Sequence, residues 1–249
     1  MTLASGRNTR RLAYLTLGLL VVAGTAAATG CSSDSSNNPG SATDTVYQGT
    51  IVGALGESGF IEVTVTTPAA AMSSGGVMIA AAASKPATGR MKLDGGCEND
   101  LAGTLSGTTL VMTGTGTCGN YDLAGTVAGS QIAGTFTAAS GHTGTFVCEE
   151  STGSNSVTVF CGRWVEVVSG TPTGTEGPWN MVVKSSSIQG VAYDPSDTAI
   201  PLTGTRTGDG VTILAGGTQI ATGTISGTQI SGIYDIGSSA GTWSGQVCQ

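Results

Sequence analysis

Charge is scarce in this 249-residue chain, which has nine Lys and Arg, sixteen Asp and Glu and a single His. Three of the basic residues, Arg7, Arg10 and Arg11, stand at the very start, and every acidic residue follows Cys31. The chain after Cys31 therefore sets six basic against sixteen acidic residues, a net charge of −10. That balance argues against nucleic acid as a partner, because neutralising phosphates requires a basic patch. Aromatics are also sparse, at 5%, and no amphipathic helix can be traced after residue 45. A phosphate loop and an H-E-x-x-H pair are both missing from the sequence, and the G-x-S-x-G match at Gly237–Gly241 falls between two alternating strand-like segments rather than ahead of a helix. No recognised catalytic motif therefore marks a nucleophile or a base.

What is present begins with three zones ahead of Cys31: the three arginines, an apolar stretch from Leu12 to Ala23, and small residues from Gly24 to Gly30. This is the layout of a secretory signal peptide, and the apolar stretch is short for a spanning helix. Ala28 and Gly30 followed by Cys31 resemble the lipobox of bacterial lipoproteins, although Ala28 stands where leucine is commonest. The resemblance implies cleavage of residues 1–30 and lipidation of Cys31. Ordinary secretion, with Cys31 left as a thiol, is the alternative. Residues 31–45, rich in Ser, Asn and Asp, then read as a disordered tether. A multi-chain lipid anchor would hold the protein on a membrane, and in a proteobacterium Ser32 rather than Asp after the cysteine favours sorting to the outer membrane under the usual lipoprotein pattern.

The remaining chain is crowded with glycine, 41 in all. Glycine and threonine alternate with Val, Ile, Leu and aromatic residues, the period of half-buried strands. "GTVAGSQIAGTFT" (125–137) aligns without gaps on "GTISGTQISGIYD" (223–235), and "GTFVC" ending at Cys148 matches "GTWSGQVC" ending at Cys248. A period near a hundred residues fits a duplicated domain rather than a solenoid. The sequence thus divides into a first β domain at 46–150, a linker at 151–156 and a second β domain at 157–249.

Gly-X pairs such as Gly107-Thr108, Gly129-Ser130 and Gly227-Thr228 fit type II′ hairpin turns. Counting between such turns gives about eight strands per repeat. In the first repeat they fall near 46–54, 58–67, 76–82, 88–94, 99–106, 109–117, 121–128 and 131–148, the last broken around "AASGHT". The fold expected is all-β, with two tandem antiparallel up-and-down barrels or sandwiches. The pattern "GTxSGTxISGxY" followed by "GTWSG" resembles Gly/Thr-rich meander domains of bacterial exported proteins and, more distantly, streptavidin and lipocalin barrels. It lacks residues matching a biotin site. A transmembrane barrel fits less well, since the strands look shorter than the ~9–11 residues such barrels use and aromatic girdles are missing.

Trp179, Trp243, Phe60 and Phe146 occupy roughly matching places in the two repeats and are candidates to line a barrel mouth, with core packing as the alternative role. His142 reads as a loop histidine. Asp94, Glu98 and Asp100, like Asp194 and Asp197, read as solvated acidic loops rather than calcium ligands. No metal and no cofactor is expected. For the other five cysteines, partners around the Gly107-Thr108 turn sum to 215, which places Cys97 opposite Cys118 and predicts a disulfide. Cys161 has two candidate partners: Cys148 across a short connection, ranked first, or Cys248 on the last strand. Function is expected to be that of a lipid-anchored envelope protein whose β domains form a non-catalytic structural or binding module. A carrier of a small ligand or glycan is the alternative reading and an enzyme the third. A protein or glycan partner is left open.

Overall fold

Strict alternation of apolar and polar residues gives each strand one face for a core, and tight Gly-X turns force each strand back beside its predecessor. The computed structural model, which describes residues 41–69, 84–153 and 156–248, follows that logic throughout. The first barrel consists of β1 (Thr43–Gly53), β2 (Ser58–Thr67), β3 (Lys85–Leu93), β4 (Glu98–Ser106), β5 (Thr109–Gly116), β6 (Tyr121–Ala128), β7 (Gln131–Ala138) and β8 (Thr143–Ser151). It closes where β8 pairs antiparallel with β1. The second consists of β9 (Thr158–Val168), β10 (Thr171–Val183), β11 (Ser187–Tyr193), β12 (Ala199–Thr207), β13 (Gly210–Ala215), β14 (Thr218–Ser226), β15 (Gln229–Asp235) and β16 (Ala240–Val247). It closes where β16 returns to β9. Two tandem eight-stranded meander barrels are thus the architecture, and closure leaves neither sheet with a free edge.

The last expected span of the first repeat is split at the break expected around "AASGHT". The span 131–148 is two strands, β7 and β8, parted by a turn in which Gly141 takes φ +87°. The strand expected at 76–82 lies outside the described residues. The hairpin turns behave as expected: Gly107, Gly129 and Gly227 have φ near +60° while the residues after them do not. That combination is the type II′ requirement of one positive φ at the first central position.

The aligned repeat segments become the hairpins β6–β7 and β14–β15, and in each a pair of glycines faces across the strands, Gly125 with Gly134 and Gly223 with Gly232. A β-carbon on Gly134 would lie 2.7 Å from the Phe146 ring, and one on Gly232 would lie 2.7 Å from the Trp243 ring. The facing glycines therefore make the recess into which the aromatic ring of the last strand sinks. That is why the repeat preserves them together with Phe146 and Trp243.

The barrels stand side by side within one compact unit. Thr50 and Phe60 are cross-strand partners on the outer face of β1 and β2, and both are buried. Phe60 packs with Val157, Val159 and Val182, the last two on the outer face of β9 and β10. Polar contacts flank this apolar seam. Lys184 Nζ lies 2.9 Å from Glu149 Oε2, and Gln131 donates to the other Glu149 oxygen at 2.9 Å. The Tyr193 hydroxyl donates to the Glu57 carbonyl at 2.8 Å. Arg163 reaches Asp94 of the first barrel and Glu176 of its own.

Cys97 and Cys118 are disulfide-bonded with α-carbons 5.1 Å apart. They sit two steps beyond the Asn99–Gly116 pair of an unshifted β4–β5 ladder. Cys161 is bonded to Cys248, α-carbons 5.5 Å apart, which corrects the expected Cys148–Cys161 bridge. The reason is topological. Cys148 shares the inward face of β8 with Phe146, whereas Cys161 lies between the inward Phe160 and Gly162 and so faces outward from β9. The two thiols belong to different barrels and opposite sides of their walls. Cys148 remains a free thiol, fully buried in the first core, and burial raises it far above the usual thiol range.

Candidate functional site: the hollow of the second barrel

The interiors of the two barrels differ. Among the described residues, eighteen buried side chains form one continuous core in the first, including Tyr47, Met91, Met112, Phe136 and Phe146, with three partly buried hydrophobics against it. In the second, twelve do, with seven partly buried hydrophobics against them, and an apolar cavity of about 240 Å³ remains. Its deep wall is made by Trp179, Trp243, Met181, Leu202 and Ile213. Trp179 and Trp243 meet edge to face with ring centroids 5.4 Å apart, and Trp164 meets Tyr234 in the same way at 6.0 Å. All three tryptophans of the chain line this space.

The opening arises from breaks in the ladder. Every ladder of the first barrel runs in constant register. In the second barrel the β9–β10 pairing shifts between Pro172 and Glu176, and the β13–β14 pairing shifts after Ile213. The extra residues bend the strands and re-aim side chains, the usual consequence of a β-bulge. In the first shift Gly174 adopts φ +87°. In the second, Ile220 is the unpaired residue, and it lines the cavity.

Alternation places the polar groups of the mouth. Phe160, Gly162 and Trp164 face inward on β9, and the next position on that face is Glu166. Its Oε1 accepts from Ser239 at 2.8 Å and its Oε2 from Thr173 at 2.8 Å. Ser239 Oγ spends its one hydrogen on that carboxylate, so the Tyr234 hydroxyl, 3.2 Å away, donates to Ser239. The bonds from Ser239 and then Thr173 hold the Glu166 carboxyl below the ordinary carboxylate range. Asp194, just past the inward Ala192, accepts from the Ser196 hydroxyl and from the Ser196 and Thr198 amides. Those bonds, that of the Ser196 hydroxyl first, keep its carboxyl low as well.

The mouth is braced by the first barrel. Tyr193 is fully buried, and burial pushes its hydroxyl up to about 12, so it stays protonated and donates to the Glu57 carbonyl. Its own carbonyl accepts from Trp164 Nε1 at 2.8 Å. The Glu57 side chain meets His142 Nδ1 at 3.2 Å, placing the one histidine on the first barrel's rim, away from the cavity lining.

Of the four aromatics singled out in the sequence, the structure brings Trp179 and Trp243 together in the cavity wall. Phe146 instead packs in the filled first core. Phe60 faces neither interior. It lies in the seam between barrels, with Arg90 stacked 5.4 Å above its ring, which corrects its assignment as a ligand-facing residue. Phe60 has the opposite parity to Ile61, Val63 and Val65, a pattern visible in the sequence. Sequence reasoning missed Trp164, Glu166 and Tyr234. The alternation Phe160–Trp164–Glu166 was the available clue. Cys31 lies outside the described residues. Among the described residues no cluster of His, Cys, Asp and Glu has the make-up of a metal site. No protein-family model and no curated protein matches the chain.

Proposed function

We propose that the chain is a non-catalytic binding module whose second barrel holds a small, largely apolar molecule, with the first barrel serving as its rigid support. The observation that carries this reading is the contrast between a filled interior and an apolar hollow in two copies of one repeat. An unoccupied apolar cavity forgoes dispersion contacts and is costly to maintain. A mouth braced by Tyr193 and opened by two bulges supports a hollow that serves a purpose. Binding sites of this kind are concave, apolar and edged by a few polar groups. We further propose that the module is a lipoprotein of the bacterial envelope, attached at Cys31 to the outer membrane. The three-zone leader and the Ser/Asn-rich tether support that placement.

Two experiments test the proposal. Octanol titrated into the mature domain should perturb tryptophan fluorescence saturably, because every tryptophan lines the hollow. Native mass spectrometry of protein purified from its own membrane should show a small molecule at stoichiometric amounts. Unchanged fluorescence together with bare protein would refute the binding role. Separately, Cys31→Ser should leave the protein unprocessed or release it from membranes, and normal lipid labelling of that variant would end the anchor assignment.

A further inference from the structure

The cavity wall is almost wholly apolar, the buried and unpartnered Trp179 Nε1 being an exception, so the charge of its ligand is decided at the rim. Glu166 faces inward there, and both of its oxygens are engaged by neutral hydroxyls with no cation in contact. Asp194 lines the same mouth at the end of β11, one strand removed from β9 around the barrel, and its Oδ1 is likewise held by hydroxyl and amide donors. Asp197 and Asp235 belong to the same ring of turns. The cavity lining contains no Lys, Arg or His. The nearest cation on β9, Arg163, has outward parity and is engaged by Asp94 and Glu176. Any head group that rests at this mouth therefore meets negative charge with nothing to balance it.

Resting on the binding role proposed above, we infer that the ligand is a cationic amphiphile: an apolar body that fills the hollow and an ammonium-type head beside Glu166 and Asp194. The rim disfavours the commoner alternative of a fatty acid, whose carboxylate would meet like charge at the mouth. An ammonium offers donors to carboxylate oxygens, and charge-assisted bonds of that type are the stronger ones. Size follows from the volume. At roughly 30 Å³ per water-sized group, about 240 Å³ takes a chain of about eight carbons.

The test compares three probes of one length, octylammonium, octanol and octanoate, by tryptophan fluorescence and calorimetry on the intact mature protein at low salt. Octylammonium should bind at least tenfold more tightly than octanoate, with octanol between them. Raising the salt should shrink that ratio, since screening weakens charge interactions at an open mouth. Glu166→Gln should shrink it at least about threefold, and Asp194→Asn should act in the same direction, with far-UV circular dichroism checking that both variants remain folded. Octanoate binding as tightly as octylammonium would overturn the cationic inference while leaving the binding role intact. Failure of all three probes would overturn both.

Discussion

The two barrels are copies of one eight-stranded plan, and they have come to different ends. In the first the ladders hold register and the side chains close the interior. In the second, two bulges near the same end spread the wall, and the side chains that remain do not fill it. Shared features, the facing glycines under Phe146 and Trp243, maintain the curvature of both. The difference teaches that a hollow can be opened in a duplicated barrel by a few inserted residues at one rim while the far half of the barrel keeps its packing. The untouched copy then becomes a buttress, and the seam at Phe60, Val159 and Val182 transmits that support.

Disulfides give the largest expected effects and sharpen this comparison. Cys97–Cys118 closes a single hairpin with a sequence separation of 21, whereas Cys161–Cys248 ties the first strand of the second barrel to the chain beyond its last, with a separation of 87. Loop-closure entropy then assigns about 3 kcal/mol to the first and about 4.5 kcal/mol to the second. Cys161→Ala with Cys248→Ala should accordingly lower the denaturation midpoint more than Cys97→Ala with Cys118→Ala. The reverse order would mean that the hollow barrel is held closed by packing alone.

Matched leucines probe the interiors directly. Leu110 is fully buried in the filled core, while Leu202 borders the cavity. Leu110→Ala should cost about 4 kcal/mol and Leu202→Ala about 2 kcal/mol, because a residue already facing empty space loses fewer contacts. Urea titration of both variants measures the difference. Equal costs would indicate that the cavity is occupied by side chains in solution.

The inverse experiment adds volume. Ala138 lies in the filled core and Ala221 lines the hollow. Ala138→Leu should overpack its site and cost about 1–3 kcal/mol. Ala221→Leu should leave stability nearly unchanged and abolish the octanol response. Retained octanol binding in a folded Ala221→Leu protein would place the ligand elsewhere.

Much of this architecture was legible in the sequence because it follows from period and turn chemistry. The Gly-X turns, the inward glycines and the sum of 215 that places Cys97 opposite Cys118 all depend on unbroken local register, and in the first barrel the register is unbroken. What escaped was non-local or broke the period. Cys148 and Cys161 are near in sequence, but a change of barrel separates them, and nearness along the chain carries no information about which wall a strand joins. The bulges were harder to see, although Pro172 and Gly174 inside a strand are the residues that announce one. Trp179 and Trp243 were found as aromatics. Their meeting around a hollow depended on volumes that a strand pattern does not contain.

The smallest expected effect concerns acid, and it belongs to the second barrel's mouth. Hydrogen bonds from Ser239 and Thr173 depress the Glu166 carboxyl, so the folded state binds its proton less readily than the unfolded chain does. For a depressed acid the stabilisation is fully present above the unfolded value, near 4.5, and is lost as pH falls through the lower folded value. The group is solvent-exposed, so the change in melting temperature should be slight. Asp194 titrates in the same sense through Ser196 and Thr198, so the two must be separated by substitution. Melting temperatures of wild type and Glu166→Gln, followed from pH 6 to pH 3, should converge as the acid limb is reached, with Asp194→Asn converging independently. A gap between wild type and Glu166→Gln that stays constant across that range would show that Ser239 and Thr173 bind the neutral side chain as well as the anion. Glu166 would still be a carboxylate at neutral pH in that case, and only the preference of its hydrogen-bond donors for the anion would be lost.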